Sequence, residues 1–504
     1  MLSSRFFRMP ATETPFLKPL KTLRKCWIFW MQSLTAKFNL LHTFRSNRKL
    51  TGIFLSLAVA VIFWSIPLPG DLSPAGRKTL VVTLFTVIWW VFNVVPPAYS
   101  TILMLLGYII LGLAGPDMVF RIWTLPLMWL IIASFLIATA VTKSGLAQRV
   151  AYFFMIRYAN SYRSLIMLTY VLGFVLSFLI PHPFPRVLLM MSLIQPIIQK
   201  AGMDPRDAAS LGLSVFISTT ATSMILLTGD STLNIAAVGF SEQSLSWLAW
   251  AKYMSVPGFC ASILMLSLHL LLFKQKGPVS INHNALRLEQ KKLGPITRSE
   301  IITLIWVILA LVLWATDFLH HIDSAWVALG VVVGLSLPEI GDVLDAKDIS
   351  SGVNWPIIFF VVGALAIGTV GKTTGMADWL ANVLLPETPP QNPYAFAALV
   401  GGVTMLIHMV LGSALACMSI VAPPMVHYAI SAGFSPLIPA LLVYTAVVIH
   451  YIFPFHHVTI LLGHGETGGY TTRHVVKYGV PLTLITMIVL ILVEITWWRI
   501  LGLV

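Results

Sequence analysis

Four short polar stretches interrupt an otherwise apolar chain, and they hold the residue types that could do chemistry. "IPHPFPR" at 180–186 sets three prolines beside a histidine and an arginine. "TGDSTLN" at 228–234 places Thr228, Gly229, Asp230, Ser231, Thr232 and Asn234 directly after an apolar run. "LGSALAC" at 411–417 carries Gly412 and Ser413, and "FHHVTILLGHGETGG" at 455–469 carries His456 and His457. Arg186 is the sharpest of these residues: a cation among apolar residues costs about 2.5 kcal/mol or more to insert and normally faces a pathway. Its planar fork of donors can grip a carboxylate or a sulfate bidentately. Imidazoles at 182, 456 and 457 can donate to an anion or carry a proton near neutral pH. A helix stopped by Thr-Gly-Asp-Ser-Thr offers hydroxyl, amide and carbonyl groups to an ion.

Other polar residues read more simply. Asp230 could pair with Arg186 and hold the fold, or act with His182 and His457 in coupling an ion or proton. Glu494 stands next to Trp497, Trp498 and Arg499, the composition of an interfacial anchor. His320 and His321 fall in a connecting loop. His450, His456, His457, His464 and Glu466 are dense in sequence, yet no pair of histidines four apart with an acid lies on one helix face, so no metal site is expected.

The composition fixes the class. Of 504 residues 57% are hydrophobic and only 10% charged, and the mean hydropathy is +0.86; a solvated globular surface cannot be built from that, and a polytopic membrane protein can. The net charge of +13 would suggest nucleic acid in a soluble chain, but its distribution excludes that partner. Residues 1–49 hold ten Lys or Arg against Glu13, and the loop 274–299 holds six against Glu289. Both flank membrane spans, which puts both in the cytoplasm. The aromatic and cationic residues of 1–49 suit an amphipathic helix on an anionic leaflet. Cys26, Cys260 and Cys417 are too few and too scattered for a disulfide framework.

Apolar runs near 51–68, 78–95, 98–114, 122–142, 207–227 and 251–273 are long enough to cross a bilayer. Six crossings return the chain to the cytoplasm at the basic loop. Runs near 301–316, 324–337, 355–371, 435–453 and 479–501 follow, giving about 11 crossings and an external C-terminus. The stretches 163–200 and 394–430 are broken in the middle and read as re-entrant helical hairpins, whose irregular tips must face something polar or wet. A shift of 230 positions sets Pro126 on Pro356, Ile137 on Ile367, Thr139 on Thr369, Gly145 on Gly375, Ala147 on Ala377 and Ala151 on Ala381, and lays one tip on the other. Five crossings separate the copies, so the repeat is inverted. The expected fold is all-α, two inverted halves at 50–273 and 300–504 of about five crossings each, joined by the 274–299 linker. Discontinuous helices in inverted repeats mark secondary transporters, with the site where the breaks meet.

With these features in place, residues 50–504 resemble the divalent anion:sodium symporter family, and most the citrate and 2-oxoglutarate/malate translocator branch. The first tip is similar to that branch's Pro-Ser-Asn-Thr-Ala-Arg, keeping Pro181 and Arg186 but placing His182, Pro183 and Phe184 where Ser, Asn and Thr stand. "HMVLGSALAC" shares His408, Ser413 and Ala416 with the second tip, and "LTGDSTLN" resembles Leu-Thr-Gly-Thr-x-x-Asn with Asn234 displaced by one. The resemblance implies a substrate site at His182, Pro183, Arg186, Thr228, Gly229, Ser231, Asn234, Gly412, Ser413, His456 and His457, and a homodimer in the inner membrane. It implies carriage of a small divalent organic anion by elevator-type alternating access, and no enzyme activity. Losing the tip Asn and hydroxyls removes oxygens that sodium needs, so exchange or proton coupling is expected. A sodium-coupled carboxylate or sulfate symporter and an anion channel are the alternatives.

Overall fold

The computed structural model describes residues 47–279 and 281–504; the basic segment read at 1–49 lies almost wholly outside them. Every regular element among the described residues is helical, and nine helices are long and apolar enough to cross a membrane. The ends are set locally. Pro74, Pro97, Pro126, Pro183, Pro205 and Pro393 occupy first helical positions, where a missing N–H costs nothing and φ is already helical. Ser161 and Thr297 close capping boxes on the helices they start.

The order of elements repeats in the register read from the sequence. Helices Pro126–Ser144 and Trp355–Thr373 each end near a glycine with positive φ, Gly145 at 83° and Gly375 at 77°. Each glycine turns the chain into a shorter helix, Leu146–Tyr158 or Met376–Leu384. Two helix–break–helix units follow at matching places. Tyr162–Leu179 and Pro183–Lys200 form the first hairpin, Pro393–His408 and Ala414–Ser431 the second. Each is followed by a broken span: Pro205–Ser223 then Leu233–Phe240 in one half, Leu437–Ile449 then Val458–Gly463 in the other.

The packing exchanges partners between the halves. Pro126–Ser144 packs on Ser324–Ser336, and Trp355–Thr373 packs on Pro97–Ile110, so each of these two matched helices lies on a crossing of the other half. The broken spans do likewise: Leu233–Phe240 touches Leu437–Ile449, and Pro205–Ser223 touches Val458–Gly463. Every residue of Leu437–Ile449 is buried, whereas Arg48–Ser65 buries only Gly52 and Ser56 and presents Phe54, Leu57, Val61 and Trp64 outward. Helices apolar all round belong at the centre, and the polar residues they carry must find partners there.

Polar contacts segregate to two opposite faces. Arg149 pairs with Glu300 at 2.7 Å, Lys143 with Asp345 and Asp348, and the Asp207 carboxylate accepts the Lys276 backbone N–H at the face that carries the 274–299 linker. The Ser73 hydroxyl donates to the Thr374 carbonyl and Lys372 pairs with Glu242 at the other face. These placements are what an odd number of crossings between copies requires.

A close backbone approach lies where Pro205–Ser223 meets the loop after Val458–Gly463. A Cβ on Gly212 would fall 1.8 Å from the Gly468 carbonyl oxygen. Gly212→Ala is therefore expected to separate these two segments and lower stability by about 1–3 kcal/mol, read as a drop in Tm of the detergent-purified protein. An unchanged Tm would show that the approach is not tight.

Candidate functional site

The first tip is held against the broken span of its own half. The Pro181 carbonyl accepts the Ser231 N–H at 3.1 Å. His182 caps Pro183–Lys200, its Nδ1 accepting the Phe184 N–H at 3.2 Å, and Pro183 opens that helix. Arg186, one turn on, is fully buried. Its guanidinium donates to the Gly173 carbonyl at 2.9 Å and to the Gly229 carbonyl, tying both hairpin arms to the break; Nε has no partner among the described residues.

The break itself is a tight turn at 227–230 between Pro205–Ser223 and Leu233–Phe240. A Cβ on Gly229 would lie 2.2 Å from the Ser223 carbonyl, so only glycine fits the fold-back. The Asn234 amide donates to the carbonyls of Ser223, Leu226 and Leu227 at 2.9, 2.8 and 3.2 Å, and its Oδ1 accepts the Tyr444 hydroxyl at 2.6 Å. Asp230 Oδ1 accepts the N–H groups of Thr232 and Leu233. The Thr228 hydroxyl accepts the Trp247 indole N–H. The Ser231 and Thr232 hydroxyls are buried and unpartnered among the described residues.

The second tip repeats the arrangement. Gly412 lies against Phe455, whose carbonyl would be 3.2 Å from an added Cβ, and Ser413 caps Ala414–Ser431. His408, at the end of the first arm, donates from Nε2 to the His456 carbonyl at 3.1 Å. His456 Nδ1 accepts the Ile452 N–H at 3.1 Å. His457 caps Val458–Gly463, with Nδ1 near the Thr459 N–H and hydroxyl at 3.4 and 2.8 Å.

Three imidazoles thus share one geometry. A backbone N–H can only donate, so Nδ1 of His182, His456 and His457 is an acceptor, and each neutral ring carries its proton on Nε2. His456 Nε2 has no partner among the described residues. Asp230 lies within electrostatic reach of His182, Arg186, Tyr444 and His457, which joins both breaks in one buried polar region. A cavity of about 430 Å³ opens on the face that carries Glu242 and Lys372; Leu227 is among its lining residues, and none of His182, Arg186, Thr228, Asp230, His456 and His457 lines it.

Several residues fall elsewhere than the sequence suggested. Of the dense histidine group, His450, His456 and His457 are buried together with His408, while His464 and Glu466 are exposed. Asp230 forms no close ion pair with Arg186; backbone carbonyls take the guanidinium instead. Glu494 is a correction. It is no interfacial anchor but fully buried, in a π-helical turn at Val489–Glu494, because that wider turn brings Val489, Leu490 and Glu494 all inward. Tyr444 was missed, since a tyrosine in an apolar run signals only core.

Inverted, exchanged halves with paired broken helices and capped tips define a polytopic helical membrane transporter rather than an enzyme. The chain belongs to the family described as "Sodium:sulfate symporter transmembrane region", which it matches over residues 47–504; the family expected from the tips is thereby shown. It is similar to a "Membrane protein" of Cupriavidus necator, 24% identical and covering 90% of this chain and 93% of the relative. "Dicarboxylate transporter 2.2, chloroplastic" of Arabidopsis thaliana is 25% identical over 90% of this chain and 85% of its own. "Putative malate transporter YflS" of Bacillus subtilis is 23% identical over 68% and 73%. A solved structure, that of the Alcanivorax borkumensis YdaH transporter, is 14% identical with a TM-score of 0.48, covering 77% of this chain and 88% of that one.

Tyr444→Phe tests the link between the two breaks. It leaves the Asn234 Oδ1 without its hydroxyl donor, which is expected to cost about 1–3 kcal/mol and to lower Tm. A variant as stable as the parent would show that Asn234 finds another donor and that the link holds nothing.

Proposed function

We propose that this chain is a secondary active carrier of a small dicarboxylate, working by elevator-type alternating access, with anion exchange or protons rather than sodium as the driving partner. The observation that carries the proposal is that His182 at the first hairpin tip, and His456 and His457 in the break of the other half, each spend Nδ1 on their own backbone, which leaves an Nε2–H donor on each ring. Neutral N–H donors drawn from both halves suit two carboxylates on one short molecule, and the names of the chloroplast and Bacillus relatives agree. The site takes in His182, Pro183, Arg186, Thr228, Gly229, Ser231, Asn234, Gly412, Ser413, His456 and His457.

The coupling argument rests on where the oxygens go. Sodium in a helix break needs free carbonyls. Here the carbonyls of Gly173 and Gly229 are taken by Arg186, those of Ser223, Leu226 and Leu227 by Asn234, and that of His456 by His408. Arg186 acts as a resident cation of the first break, offset by Asp230. A dianion entering such a site brings charge that sodium is not there to balance, which exchange or protons can balance.

The same proposal treats residues 50–273 with hairpin 163–200 and residues 300–504 with hairpin 394–430 as the two halves. The 274–299 linker and the N-terminus are cytoplasmic, the C-terminus is outside the inner membrane, and two copies associate through helices outside the hairpins. The excess of Lys and Arg over acids in residues 1–49 and 274–299 supports that sidedness.

Counterflow in proteoliposomes tests it. Labelled malate uptake is expected to be stimulated by internal malate and to proceed equally in sodium and potassium media. Absence of trans-stimulation would favour a channel, and strict sodium dependence would overturn the coupling assignment. His456→Ala removes one donor to a carboxylate, worth about 1.5–3 kcal/mol, so the half-saturating malate concentration is expected to rise roughly tenfold or more; an unchanged value removes His456 from the site.

A further inference from the structure

Glu494 has no part in the site as proposed, yet its surroundings are the least expected in the molecule. The carboxyl is fully buried within the last span. Its Oε1 accepts the Thr445 hydroxyl at 2.5 Å, and Oε2 has no hydrogen-bond partner among the described residues. An ionised carboxylate in low dielectric needs a cation or several donors, and one hydroxyl is not enough. The π-helical turn that points it inward is a costly local geometry of the kind found at functional sites.

The charged and titratable groups on every packed element have other engagements. Leu437–Ile449 offers Tyr444, which donates to Asn234 and lies within electrostatic reach of Glu494. Pro393–His408 offers Tyr394, which meets Thr496 and Arg499, and His408, which meets His456. Trp247–Leu272 offers Lys252 and Tyr253, whose carbonyls take the Trp497 and Trp498 indoles, Cys260, and His269, which meets Ser210. On its own helix Lys477 donates to the Leu272 carbonyl, Tyr478 donates to the Met265 carbonyl, and Arg499 lies over the Tyr394 ring; Arg473 and His474 open that helix more than four turns away. Among the described residues no cation is within ion-pair distance of Glu494.

Position adds the second link. Thr445 is the neighbour in sequence of Tyr444, whose hydroxyl reaches Asn234 in the other break. In the other direction Arg499, five residues on, is about 7.5 Å along the helix axis. The carboxyl therefore stands between the candidate site and one face of the protein.

We propose that Glu494 is the proton-binding group of the transport cycle. It holds a proton in the conformation described, and releases it to water when Leu437–Ile449 moves relative to the Val489–Glu494 turn, so that a proton crosses with the anion. The step is a carboxylic acid giving a carboxylate and a proton, with no electron transferred; the proton offsets one charge of the dianion. The proposal rests on the carboxylate-carrier assignment for its substrate, but not for the proton.

Two measurements on the full-length protein in lipid separate these. Infrared spectra at neutral pH are expected to show a protonated-carboxyl C=O band that Glu494→Gln removes. Its absence from the parent, or its persistence in the variant, overturns the assignment whatever the substrate is. In proteoliposomes, an imposed proton gradient is expected to drive malate accumulation in the parent and not in Glu494→Gln, while malate counterflow persists in both. Proton-driven accumulation by the variant overturns the proposal. Absence of malate counterflow in the parent overturns the carboxylate assignment alone, and the infrared band still decides the proton. Thr445→Val covers the case of a variant that does not fold: removing the hydroxyl that favours the carboxylate is expected to move the midpoint of the band to higher pH, and an unmoved midpoint overturns the proposal.

Discussion

Four interrupted helices deep in a low-dielectric interior impose one demand from which the rest follows: the backbone groups freed at each break must be satisfied by the protein itself. A free carbonyl or N–H in that setting costs several kcal/mol. The chain meets the demand with side chains that stay put. Arg186 takes carbonyls of a hairpin arm and of a break, and Asn234 takes three more at the end of Pro205–Ser223. His182, His456 and His457 take N–H groups with their Nδ1 atoms. The residues that could bind an anion are the same ones that keep the breaks folded, so holding the backbone and presenting polar atoms to the interior are one arrangement.

That economy explains the exchange of packing between halves. A broken span cannot face lipid at its break, so each must be covered by the hairpin tip of its own half and by the broken span of the other. Pro181 against Ser231 and Gly412 against Phe455 are the first kind of contact; Tyr444 on Asn234 is the second. The matched helices Pro126–Ser144 and Trp355–Thr373 pack instead on Ser324–Ser336 and Pro97–Ile110. The cavity that reaches Leu227 runs between these two sets of helices.

Much of this was legible in the sequence because hydropathy and breaks are local properties. The crossings read near 122–142 and 355–371 are Pro126–Ser144 and Trp355–Thr373, and both hairpin breaks fall where "PHPFP" and "LGSA" put them. Gly145 and Gly375 matched in register and share a left-handed turn. What escaped has a physical reason in each case. Leu146–Tyr158 and Met376–Leu384 are short and amphipathic, below the length that marks a span. Tyr444 is an aromatic in an apolar run, and its role depends on an amide 210 positions away in the chain. Glu494 was misplaced because tryptophans and an arginine follow it, and a π-helical turn shifts the face that regular helical spacing assigns.

The departures from the family's tip residues can be understood through charge. Where Ser, Asn and Thr oxygens are replaced by His182, Pro183 and Phe184, the tip loses acceptors and gains a donor, and Arg186 finds carbonyls that would otherwise face an ion. A guanidinium tethered to backbone carbonyls cannot leave with a substrate, so it supplies none of the driving force. Whatever drives net transport must be mobile and must differ in binding between conformations. Exchange meets that requirement with the counter-anion. A buried carboxyl whose one partner among the described residues is a hydroxyl on a broken helix could meet it with a proton, because a small movement of that helix would change whether the charged form is tolerated.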